Sequence, residues 1–328
     1  EIVDWFFENN PVTNEFRSQI TEISDIERLI SKISNFNSEP RDVISLSKSI
    51  KTLIHSTQFL SQKNVSDNIK GLIDELPDIS DVSLLIEKTF NIDYSGKLGD
   101  GDLIKKGVSE KLDEYLYSLK NSKQILSELE QREKEKTKIK NLKIRFNKIF
   151  GYYFEVTKSQ IENVPDYFIR KQTLVNAERF FTEELKELET KITLSVDLVS
   201  ELEREIYNEV NDFIISKSSL VLKSSEIISK LDVFSNFAAI SKQNNYIKPI
   251  INDSKNLQIN NSRHPMVEKI IESGKFVPND VFIDDLSEQI ILLTGPNMSG
   301  KSTYIRQIGI LVLMAQIGCY ISASSAEI

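Results

Sequence analysis

With 328 residues, 40% hydrophobic and 27% charged, the chain has the make-up of a soluble globular protein with room for two or three domains. A net charge of −8 excludes a uniformly basic coat for nucleic acid. The lone cysteine, Cys319, excludes an intrachain disulfide or a cysteine-built metal site and fits a reducing, cytoplasmic setting.

The chain opens on Glu1 inside an apolar–acidic pattern and reads as a piece of a longer protein, with no charged-then-apolar leader. Residues 1 to about 95 show helical spacing broken by polar turns. Ile23, Ile26, Ile30 and Ile33 form one stripe, and Val43, Leu46, Ile50, Leu53 and Ile54 another. Asn37–Pro40 and Pro77-Asp78 separate such segments. Asn91 to Glu110 holds four of the eleven glycines and is predicted to be an extended loop.

A long amphipathic helix is predicted next, with Leu112, Leu119 and Leu126 seven residues apart and Tyr115 and Leu129 between them; it ends in the polar run EQREKEKTKIKN, which reads as solvated. A second helix is predicted from Glu183 to Lys217, about 50 Å long at about 1.5 Å per residue. Its stripe is Leu185, Ile192, Val199, Ile206 and Phe213, with Leu188 and Leu202 alongside and Ser195 and Glu209 interrupting, an imperfect heptad seam. Between the helices, Leu142, Ile144 and Phe146, then Tyr152, Phe154 and Val156, alternate with polar residues around Gly151, the pattern of a β-hairpin. From Lys134 to Arg179 eleven Lys/Arg face five Asp/Glu, a local +6 that leaves −14 elsewhere. Such a patch suits a phosphate backbone, although a solvated charged surface is the plainer account of a charge run. Strand packing accounts for Tyr152, Tyr153 and Phe154 better than base stacking does.

Near the C-terminus, Glu288 to Thr294 is a short apolar strand-former run, Gly295–Ser302 satisfies G-x-x-x-x-G-K-S, and a helix follows to about Gly318. The glycines let backbone N–H groups converge on an anion at a helix N-terminus. Lys301 is the candidate for the β/γ-phosphates and Ser302 for Mg²⁺. The apolar run Ile308–Ile321 is too short to span a membrane. No apolar run ending in Asp-Glu follows Ser302, so weak nucleotide binding and negligible hydrolysis are expected, and no catalytic residue is assigned. His55 and His264 cannot build a triad or metal cluster, and a structural hydrogen bond is expected for His264.

Three segments together resemble the MutS family of DNA mismatch-repair ATPases: LLTGPNMSGKSTYIRQIGILVLMAQIGCYISA, NSRHPMVE, and the stretch from GYYFEVTKSQ to ELETKI, with IKKGVSEKLDEY matching before the first long helix. The resemblance implies a multidomain, mainly α-helical core with two long lever helices. A small β-rich DNA clamp lies between them, and an incomplete P-loop α/β ATPase segment closes the chain. The implied divisions are 1–128 for the core and first lever, 129–183 for the clamp, 184–243 for the returning lever and core, and 244–328 for the start of the ATPase domain. By resemblance ATP or ADP and Mg²⁺ are the cofactors; Gly295, Asn297, Gly300, Lys301, Ser302 and Thr303 fall on the phosphate loop, and Phe276 near the adenine-stacking aromatic. Lys143, Arg145, Lys148, Lys158, Arg170 and Lys171 are the implied contacts to double-stranded DNA. Implied partners are a second copy in a homodimer and a MutL-type repair protein, with a nucleoid-associated location.

The family's mismatch-reading Phe-x-Glu lies in a domain with no counterpart here, and Phe6-Phe7-Glu8 and Phe181-Thr182-Glu183 match it by chance. The connector, Walker B, signature loop and dimerisation helices likewise have no match. Two alternatives stand beside mismatch repair: a non-catalytic DNA-binding or scaffold fragment, and a paralogue acting in recombination. A chromosome-condensing machine is disfavoured, because its phosphate loop precedes its coils.

Overall fold

The computed structural model describes residues 1–147, 149, 151–271, 275–296 and 299–328. It is mainly helical with two small antiparallel sheets and divides into two compact units. The first unit comprises residues 1–28, 48–80 and 218–328; the second comprises 29–47 and 81–217.

Six helices fill the N-terminal third: α1 (Ile2–Glu8), α2 (Asn10–Ile20), α3 (Ile26–Ser34), α4 (Pro40–Ser61), α5 (Asp67–Asp74) and α6 (Ser80–Thr89). Ile26, Ile30 and Ile33 are buried, as are Val43, Leu46, Ile50 and Leu53, so both apolar stripes face inward. Pro40 is the first residue of α4, where its missing N–H leaves no helical bond unmade. Asp42, one turn in, accepts from the Glu39 N–H at 3.0 Å and the Lys32 ammonium at 2.9 Å.

In the second unit α7 (Glu110–Thr137) and α8 (Glu183–Ser216) run antiparallel. Each starts on a hydroxyl cap: Ser109 Oγ accepts from Leu112 N–H, and Thr182 Oγ1 from Leu185 N–H. α7 continues through residue 128 to Thr137, so the division placed there in sequence falls inside a helix. Its polar end is not simply solvated. Glu133 and Thr137 are buried, and Glu133 accepts from the Tyr167 hydroxyl at 2.6 Å. Burial and that carboxylate push the Tyr167 pKa up to about 12.

The glycine-bearing stretch before α7 is irregular, as expected, but it is anchored. Gly99, Gly101 and Leu103 donate backbone N–H groups to the Glu203 carboxylate on α8 at 2.6, 3.1 and 2.9 Å, and Glu203 is fully buried. Gly99 and Gly101 sit at φ +100° and +87°, and a Cβ on Gly101 would lie 2.9 Å from Val199. The buried stripe of α8 shifts along its length. It follows Leu185, Ile192 and Val199 as the heptads require, then moves to Glu203, Tyr207, Val210 and Ile214, leaving Ile206 and Phe213 half-buried. A straight α-helix drifts by about 20° per heptad from a 3.5-residue repeat, and this one drifts.

Between the helices lies a four-stranded antiparallel sheet, order β1-β2-β4-β3: β1 (Lys143–Asn147), β2 (Gly151–Thr157), β3 (Ile169–Thr173) and β4 (Ala177–Phe181). A 3-10 turn, Lys158–Asn163, follows β2. The expected hairpin forms, with Ile144 opposite Phe154. β3 and β4 add to it; β3 is too polar and too irregular at its bulge for alternation to reveal it. Phe154, Val156, Phe168 and Phe180 join Leu126, Leu129, Leu185, Leu188 and Ile192 in one core.

The first unit packs α9 (Ser218–Gln243) on α1 and α2. A second antiparallel sheet, β6-β5-β7, is built from β5 (Leu257–Ser262), β6 (Asn279–Ile283) and β7 (Ser325–Glu327), with the single turn α10 (Val267–Ile270) between β5 and β6. α11 (Lys301–Gln316) lays Leu311 and Ala315 on this sheet. Gly318, at φ +84°, closes the helix as its amide bonds the Ala315 carbonyl. The run 288–294 is not a strand: Ile290 and Leu292 are 86% exposed, because no described strand lies alongside to take its backbone hydrogen bonds. No helix among the described residues is long and apolar enough to cross a membrane.

Candidate nucleotide and nucleic-acid sites

At the N-terminus of α11 the first unit holds a cavity of about 600 Å³, lined among others by Phe276, Gly300, Lys301 and Thr303. Gly300 caps the helix at φ +91°, a left-handed conformation that glycine adopts without strain, and its carbonyl accepts the first helical bond from Tyr304 N–H. Lys301 therefore starts the helix. Its ammonium folds back to donate to the carbonyls of Gly295, at 2.6 Å, and Pro296. Ser302 is exposed on the first turn, Thr303 half-buried, and Phe276 half-buried on the opposite flank. Asn297 lies outside the described residues.

This donor set suits an anion. The N–H groups of the first turn and the helix dipole favour negative charge at this end of α11, and the Lys301 ammonium, resting on the loop carbonyls, stands beside them. Among the described residues no group of three His, Cys, Asp or Glu could hold a metal ion. A divalent cation here would draw ligands from the Ser302 hydroxyl, phosphate oxygens and water, a mixture that suits Mg²⁺.

Two residues that sequence reasoning passed over border the same cavity. The Tyr304 hydroxyl donates to the Asp280 carbonyl at 2.8 Å, and the fully buried Gln307 donates to Ser262 Oγ at 2.6 Å. Burial, with the Asp280 charge nearby, pushes the Tyr304 pKa up, so it remains a donor. Their signal was spacing: Lys301, Tyr304 and Gln307 recur every three residues and share a helical face. His264 has the expected structural role, its Nδ1 accepting from the Met266 N–H at 3.3 Å.

The basic candidates of the second unit divide by strand face. Lys143 and Arg145 lie on one face of β1, opposite Glu155 and Tyr153, and both are exposed; Arg145 pairs with Glu155 at 3.3 Å. On that face the Arg179 guanidinium stacks 4.4 Å from the Tyr153 ring centre and donates to Gln172 at 2.7 Å, a contribution sequence reasoning missed. Arg170 is committed differently, held at 2.9 Å by the buried Glu178. Lys158 is exposed at the start of the 3-10 turn, and the Lys171 ammonium lies 5.4 Å from the Phe181 ring centre. Lys148 lies outside the described residues. Exposed cations held beside a sheet can bind a polyanion without reading its sequence.

Comparison with known proteins adds the following. Residues 107–196 match MutS family domain IV, and residues 291–328 match MutS domain V. A Fervidobacterium nodosum protein named DNA mismatch repair protein MutS is 42% identical over 99% of this chain and 39% of its own length. Proteins of the same name from Alkaliphilus oremlandii and Caldicellulosiruptor bescii are 40% and 43% identical, over 96% and 94% of this chain and 36% of their own lengths. The chain thus spans under two-fifths of the length of these relatives.

Proposed function

The chain belongs to the MutS family, and from that premise we propose that it is the DNA-holding and nucleotide-sensing middle of an ATP-dependent mismatch-recognition protein. The observation that carries this reading is identity of 40–43% running through both the basic sheet and the glycine loop. In the reading, the β1–β4 sheet is a clamp that grips duplex DNA through its backbone, and α7 and α8 are lever arms. Residues 295–303 form the phosphate loop for ATP or ADP, with Lys301 on the β/γ-phosphates, Ser302 on Mg²⁺ and Phe276 beside the base. The divisions at 183/184 and 243/244 mark the clamp's end and the start of the ATPase segment. The whole protein would act as a homodimer with a MutL-type partner in the cytoplasm. Nucleotide, when bound, supplies the charge and free energy that move the arms; the chain's own residues orient the phosphates and hold the DNA.

The test is duplex binding by the 328-residue chain, followed by anisotropy across salt concentrations. Affinity is expected to fall steeply as salt rises, log K dropping by about 0.9 per phosphate contact for each tenfold rise. Lys301→Ala is expected to remove ATP binding and leave duplex affinity within about twofold. Absence of duplex binding at low salt, or binding insensitive to salt, overturns the clamp reading.

A further inference from the structure

Two walls of the 600 Å³ cavity belong to different elements, and four hydrogen bonds tie them together. One wall is the first turn of α11, carrying Lys301. The other is Lys275–Val277, carrying Phe276, which leads directly into β6 at Asn279. Tyr304 Oη donates to the Asp280 carbonyl at 2.8 Å. Gln307 Nε2 donates to Ser262 Oγ at 2.6 Å, and Ser262 Oγ donates onward to the Asn279 carbonyl at 2.6 Å. The Asn279 side chain passes the tie along by donating to the Val277 carbonyl at 3.0 Å.

Adhesion alone does not call for such chemistry. Lower on the same helix face Leu311 and Ala315 attach α11 to the sheet through apolar contact. Burying an amide and a hydroxyl instead carries a desolvation cost that apolar residues would not. What the polar relay adds is geometry: each bond fixes a direction and a distance of under about 3.2 Å, where apolar contact tolerates sliding. Among the described residues the bonds from α11 to the sheet come from Tyr304 and Gln307, on the helical turns that follow Lys301.

We propose that Tyr304 and the Gln307–Ser262 pair are positioning residues that hold the Phe276 wall at a set distance from Lys301, so that the cavity selects a nucleoside triphosphate over a bare polyphosphate chain. The inference rests on the nucleotide reading above and adds to it the source of base selectivity. A polyphosphate needs only the α11 wall, whereas a nucleotide must touch both.

The experiment compares ATP with inorganic tripolyphosphate on the 328-residue chain by calorimetric titration, for the unchanged protein, Tyr304→Phe, Ser262→Ala and the double variant. Tyr304→Phe is the safe variant, because Asp280 is exposed and its carbonyl can turn to water. Each single variant is expected to lose about tenfold in ATP affinity, equivalent to about 1.4 kcal/mol, while tripolyphosphate affinity stays within about twofold. Amide exchange at Val277 and Asp280, measured without ligand, is expected to rise in the double variant while exchange at Val281 does not. Equal loss for both ligands, or an unchanged ratio and unchanged exchange, overturns the proposal. If the unchanged protein binds tripolyphosphate but shows no preference for ATP, selectivity fails while the phosphate loop stands. If it binds neither, the nucleotide reading falls and this inference with it.

Discussion

Glu203 is a fully buried carboxylate that meets three main-chain N–H groups instead of a cation. Glu203→Gln keeps the volume but turns an NH₂ toward at least one of those donors. We expect a loss of about 3 kcal/mol in the urea unfolding of the second unit, with faster amide exchange at residues 99, 101 and 103. Asp42 answers to pH. Burial raises its pKa, but the Glu39 N–H and the Lys32 ammonium outweigh that, and the net shift is downward. Its stabilisation is therefore complete above the unfolded carboxyl value of about 4 and is lost as pH falls through the lower folded value. Asp42→Asn should flatten the acid side of the stability profile, read as urea midpoints from about pH 3 to pH 6. Neither role was legible in sequence. An acid inside SELEREI looks solvated, because nothing local reveals that a loop a hundred positions earlier folds onto it.

At the scale of elements, periodicity identified both long helices and the first hairpin but not where a seam ends. Ile206 continues the heptads of α8 and Ile214 does not, yet Ile214 is fully buried and Ile206 only half. Ile214→Ala should then cost about 3–4 kcal/mol and Ile206→Ala about 1, compared by thermal or urea melts. Strands behave differently, since they are completed by neighbours. The run at 288–294 has the composition of a strand and lacks the pairing, whereas β3 has pairing without the composition. The glycine loop ahead of α11 was readable in sequence because such a loop depends on backbone conformation, and Gly300 marks that conformation directly. The ties behind it, at Ser262 and Asn279, depend on strand register and could not be read.

For the whole molecule the governing fact is segregation of charge, +6 between residues 134 and 179 against −14 in the remainder. An acidic protein can hold a polyanion only where the local field is inverted, and range matters because screening sets in within about 8 Å at physiological salt. Lys143→Ala with Arg145→Ala should lower the salt slope of duplex binding by about 2, whereas Arg170→Ala, which breaks a pair with buried Glu178, should cost fold stability and change the slope by less than about 1. Composition alone showed the segregation of charge. Which cations were committed internally emerged only with the strand faces.

The grip on Glu203 has a consequence for variation. Main-chain amides do the holding, so the bonds to Glu203 use no loop side chain, while Asp100 steadies the loop itself by accepting from the Lys97 N–H at 2.9 Å. Gly99 and Gly101 are constrained both by φ and by a close neighbour, since a Cβ would lie 2.6 Å from Ser200 Oγ at the first and 2.9 Å from Val199 at the second. The exposed positions of this loop other than Asp100 can therefore change their charge, polarity or bulk from one sequence to the next while the clasp beneath them stays the same.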